Sequence, residues 1–129
     1  MAAISLISGG ILVALVGVGC SIGAVVLFRG GADDWPDVIA SAIVIRRVAI
    51  GLGVVSVALL ITGTAVIVRC PGSVHAAAVA MLVFVAGGFW GNHAVFGDFR
   101  PVHTGSNVVI AAVALVLLLL GYPALVPVE

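Results

Sequence analysis

The sequence predicts an all-α membrane protein: four transmembrane helices in an antiparallel bundle, with a short interfacial helix before the second span. Three observations predict it. First, 64% of the 129 residues are hydrophobic and 8% charged, with a mean hydropathy of +1.43. Soluble domains average about 45–50% apolar and about 25% charged residues. Second, the apolar residues fall into four long runs rather than alternating, which favours helices over the strands of a membrane barrel. Third, the connections between the runs are short, so consecutive helices must pack side by side as a single domain spanning 1–129.

A helix needs about 20 apolar residues to cross the hydrocarbon, at about 1.5 Å rise per residue. Span one, residues 4–28, carries no charge. No basic residue precedes Arg29, and the run exceeds the about 7–15 apolar residues of a signal-peptide core, so it reads as a retained span. Span two, 48–68, is bounded by Arg46 and Arg47 on one side and Arg69 on the other. Span three covers 74–92. Span four, 105–122, is the shortest in apolar terms and ends before Pro123.

The connection between spans one and two holds six of the ten charges: Arg29, Asp33, Asp34, Asp37, Arg46 and Arg47. Within it, Asp34, Trp35, Pro36 and Asp37 read as a helix start. Asp34 can cap free N–H groups, Pro36 has no donor to lose, and Asp37 favours the positive helix end. A single helix from there to residue 68 would have 34 residues, about 51 Å against a core of roughly 30 Å. Either residues 35–47 lie in the interface and bend into the span near Gly51 and Gly53, or the span begins near Val38 and buries two arginines. Burial costs about 2.5–3.5 kcal/mol per Arg on insertion scales, which favours the bend.

Arginine counts set the expected orientation. The first and third connections hold Arg29, Arg46, Arg47 and Arg100, against Arg69 alone on the other side. The positive-inside rule then places these two connections in the cytoplasm, and both termini outside, of a prokaryotic cell membrane.

Lipid tails give apolar helices no hydrophobic reason to associate, so contact faces need small residues that let backbones approach. Each span supplies a heptad-spaced stripe suited to left-handed packing. The stripes are Gly10, Ala14, Gly17, Ser21 and Ala24; Ala49, Gly53, Ser56 and Gly63; Ser73, Ala77, Ala80, Gly87, Gly91 and Ala94; and Asn107, Ala111, Ala114 and Gly121. Leu60, Phe84 and Leu118 interrupt the last three.

No acidic residue, lysine or histidine falls mid-span, which argues against an ion-coupled transporter. Hydrolase, zinc-protease and nucleotide-loop motifs are missing, so no catalytic residue is assigned. With zero formal net charge there is no basic stripe for nucleic acid. Cys20 and Cys70 sit at different depths and read as small apolar residues, with no CxxC spacing. His75 and His93 are 18 residues apart, about 27 Å along a helix, and cannot share a metal. The remaining candidates lie at the third connection: His93, Asp98 and His103 for a metal, and His93, His103 and Trp90 for haem or quinone contact. The plainer reading is that these residues cap helices and anchor the interface, as aromatic residues do.

Phe96–Gly97, then Pro101, Val102, His103 and Thr104, then Asn107–Val108 leading into an apolar helix, resembles the start of the last span in small four-helix DoxX-like or neighbouring uncharacterised prokaryotic membrane proteins. The resemblance covers about 25 residues and implies architecture rather than activity. Those families carry a histidine motif near the second span, which this chain lacks.

The expected role is therefore a non-catalytic structural or accessory subunit of a larger membrane assembly. Annular lipids and other membrane subunits, or copies of itself, are its expected partners, and no cofactor is expected. The alternatives are a redox-linked or small-molecule-handling protein using His93, Asp98, Arg100, His103 and Trp90, and a viral envelope or vesicle membrane protein.

Overall fold

A computed structural model describes residues 1–29, 41–97 and 101–125, without the side chains of Ala42 and residues 101–104. These residues form four helices: α1 (Ala2–Phe28), α2 (Ala42–Ile67), α3 (Ser73–Phe96) and α4 (Pro101–Leu125). All four contain segments long and apolar enough to cross a membrane. The protein is an integral, multi-pass membrane protein.

Local chemistry sets the ends of the helices. The Ser41 hydroxyl accepts from the Val44 amide and caps α2. At the other end of α2, the Cys70 amide donates to the Ala65 carbonyl and the Arg69 amide to Val66. This is a Schellman arrangement, and it places Arg69 in the left-handed region, with φ 60°. Gly72 and Gly97, at φ 76° and 79°, bracket α3 without the steric cost a Cβ would bring. Pro101 opens α4, where the first amide has no helical acceptor anyway.

The start of α2 differs from the sequence expectation. Residues 42–47, expected in a separate interfacial helix, are instead the first turns of α2, and residues 35–40 lie outside the described residues. At 26 residues, α2 is about 39 Å long and overhangs a core of roughly 30 Å. Arg46 and Arg47 are both exposed in its second turn. The overhang, together with their long side chains, lets the charges reach the headgroups.

The helices run up, down, up and down around a square. Early α1 meets late α2 and late α4, at Gly10–Gly63 and Leu6–Gly121, while late α3 meets early α2 and early α4, at Gly91–Val48 and Gly88–Asn107. Of the four contacts between neighbouring helices α1–α2 is the most extensive and α3–α4 the least, and across the diagonal α1 barely touches α3. Leu6, Val13, Leu59, Val66, Met81 and Leu118 fill the main core. A second cluster, around Leu27, Ile45, Val48 and Val95, closes the end that carries the first and third connections. Isoleucines, valines and leucines cover the outside of every helix.

Candidate functional site

Three glycines bring helix backbones close together. A Cβ built on Gly63 would lie 2.7 Å from the Ala14 amide nitrogen and 2.8 Å from the Gly10 carbonyl oxygen. One built on Gly10 would lie 2.9 Å from the Gly63 carbonyl. Gly121 is tighter still, 2.5 Å from the Leu6 backbone. Such contacts put main chain against main chain, which is where dispersion holds apolar helices together in lipid.

The small-residue stripes divide according to where the helices turn their faces. Gly10, Gly17, Ser56, Gly63, Ala80, Gly91, Ala111 and Ala114 are buried, whereas Ala14, Ser21 and Gly53 are half-buried. Gly87, expected on a contact face, is exposed within this chain, with nothing within 4 Å of its would-be Cβ. Phe84 fills the core one turn before it, and at the next turn the inward position falls on Gly88, against Asn107, leaving Gly87 outside. Leu118 likewise fills the main core, packed against Gly9.

A polar clasp lies inside the α1–α2 contact. The Ser56 hydroxyl donates to the Gly17 carbonyl at 3.0 Å, and the Ser21 hydroxyl, 3.1 Å from the same oxygen and beside the Ser56 hydroxyl, gives its single proton to one of the two. Ser56 is 2% exposed, so a hydroxyl that would be costly in hydrocarbon is fully satisfied. Both serines lie on small-residue stripes of their spans, and their pairing is a tertiary feature. The available signal was their matching position on consecutive antiparallel spans.

The chemistry-bearing residues separate to the two ends. His75 lies near the 68–72 connection, edge-on to Tyr122, with ring centroids 5.4 Å apart and an 89° interplanar angle. His93 and Trp90 lie at the opposite end of α3, both exposed. His103 falls in the first turn of α4 with its side chain outside the described set, as are Asp98 and Arg100. Among the described residues no three His, Cys, Asp or Glu side chains gather as a metal site. Cys20 is buried in α1 and Cys70 exposed beyond α2, and both thiols are free.

Between α2 and α3 an open groove of about 490 Å³ runs down the outer face of the bundle. Ala58, Ala76 and Ala80 leave the space, and Val54, Val79 and Val83 line its inner half. His75 and Thr62 lie toward the 68–72 end. The Thr62 hydroxyl donates to the Ala58 carbonyl at 2.8 Å, so it presents little polarity to the groove.

The chain matches no protein-family model, no curated protein and no solved structure.

Proposed function

We propose that the chain is a non-catalytic structural or accessory subunit of a larger membrane assembly, acting by helix–helix and lipid packing. The observation that supports this reading is the set of glycines on its outer surface. Gly19, Gly51 and Gly87 are exposed, with open space around each would-be Cβ. They interrupt a surface made largely of Leu, Ile and Val, with some aromatic residues. Outward glycines contribute nothing to packing within the bundle, yet they offer a neighbouring transmembrane helix the close approach on which association in lipid depends. In this reading the partner is another membrane subunit or a further copy of the chain. The arginine-rich connections face the cytoplasm.

The test is extraction from native membranes in mild detergent, followed by native mass spectrometry. The expected result is a complex heavier than one chain, which Gly19→Leu, Gly51→Leu or Gly87→Leu disrupts while far-ultraviolet circular dichroism stays unchanged. A solitary chain that co-purifies with no protein overturns the proposal.

A further inference from the structure

The α2–α3 groove has a shape and a mouth that select one kind of occupant. It faces outward from helices that cross a membrane, so the medium that fills it is lipid. Its span along α3, from His75 to Val83, is eight residues, about 12 Å. Half of a roughly 30 Å hydrocarbon core is about 15 Å, so the groove covers most of one leaflet, from the headgroup level nearly to the midplane. Its volume of about 490 Å³ falls within the about 300–1,000 Å³ of small-molecule sites. The alanines make it a recess rather than an ordinary lipid-facing seam. A larger side chain at Ala76 would occupy the space directly.

A cation adjoins this end of the groove along the chain. Arg69 lies in the 68–72 connection that joins the two walls of the groove, and is exposed. Its backbone is held by the Schellman bonds at the end of α2. His75 lines the groove at the same end and is braced edge-on by Tyr122. A guanidinium in the connection at the end of an apolar channel matches a phosphate above an acyl chain, since its charge-assisted donors favour phosphate oxygens, and an imidazole N–H can add a further hydrogen bond.

We propose that this groove binds one anionic phospholipid, with an acyl chain along Ala58, Ala76 and Ala80 and the phosphate held at the mouth by Arg69 and His75. The site rests on the membrane location of the bundle and is independent of the accessory role proposed above.

The test uses the purified full chain, reconstituted with phosphatidylglycerol or phosphatidylcholine and read by native mass spectrometry. One phosphatidylglycerol per chain is expected to survive desolvation, with phosphatidylcholine retained about tenfold less, the scale of one charge-assisted bond. Arg69→Gln is expected to abolish that preference. Ala76→Phe, at an exposed position, is expected to remove the retained lipid without changing the far-ultraviolet circular dichroism, and Ala76→Leu to weaken it. Equal retention of the two lipids overturns the proposal, as does lipid retention by Ala76→Phe equal to that of the parent. A second copy of the chain seated in place of lipid, disrupted by Ala76→Phe, would overturn it too.

Discussion

The α1–α2 crossing can be tested by adding a single methyl group. In Gly63→Ala the new Cβ would stand 2.7 Å from the Ala14 nitrogen and 2.8 Å from the Gly10 oxygen. Both are backbone atoms, so no rotamer change relieves the overlap. Restoring an ordinary 3.4 Å contact requires α1 to retreat by about 0.7 Å. That retreat loosens the packing along the most extensive contact in the bundle and stretches the serine clasp one to two turns away. Overpacking of this kind costs about 1–3 kcal/mol. In water, the higher helix propensity of alanine would return about 1 kcal/mol. Within a membrane the separated helices remain helical, because their backbone groups have no other partner, so little of that gain applies. Gly19→Ala is the matched control: the same change on α1 with nothing within 4 Å, expected to shift stability by less than about 0.5 kcal/mol. Both variants are compared by reversible unfolding in bicelles or mixed micelles. If Gly63→Ala is as stable as Gly19→Ala, the backbone-contact account of this crossing is wrong.

Three further outcomes follow from the same geometry. Ser56→Ala should destabilise the bundle by about 0.5–1.7 kcal/mol, the range for hydrogen bonds inside membranes. A double-mutant cycle with Ser21→Ala should show coupling, because both hydroxyls lie at the Gly17 carbonyl; strict additivity would contradict the clasp. Arg69→Gly should raise the unfolding midpoint. Relief of a left-handed backbone worth about 1–2 kcal/mol outweighs the roughly 0.5–1 kcal/mol of added chain entropy, and a lowered midpoint would count against the strain at φ 60°. Ser73→Ala should be neutral or stabilising by up to about 1 kcal/mol, since the Ser73 hydroxyl is buried with no partner among the described residues. A loss above about 1 kcal/mol would reveal a hydrogen bond to a group outside that set.

That four apolar membrane helices form, in antiparallel order, was legible in the chain itself. Length, hydropathy and φ preference are properties of a local segment, and a bilayer reads them segment by segment. The start of α2 was less legible. The segment containing Arg46 and Arg47 was weighed as either interfacial or buried, whereas the helix overhang offers a third solution. Candidate site residues at the third connection were visible as types, but Asp98, Arg100 and the His103 side chain lie outside the described residues.

Amphipathicity normally tells a soluble helix which face to bury. Here Ile4, Ile11 and Ile22 face outward while Leu6, Val13 and Leu27 on the same helix face inward, and hydropathy does not separate the two sets. The sequence determined that four apolar helices form and that small residues recur along them. Only the tertiary structure decided that Gly10, Gly63 and Gly121 are pressed against backbone while Gly19, Gly51 and Gly87 stand open. It also brought Ser21 to Ser56 and left a recess at Ala58, Ala76 and Ala80. The physical reason is that lipid is as apolar as the core, so the rotation of each helix about its axis is set by steric fit to its neighbours rather than by transfer from water.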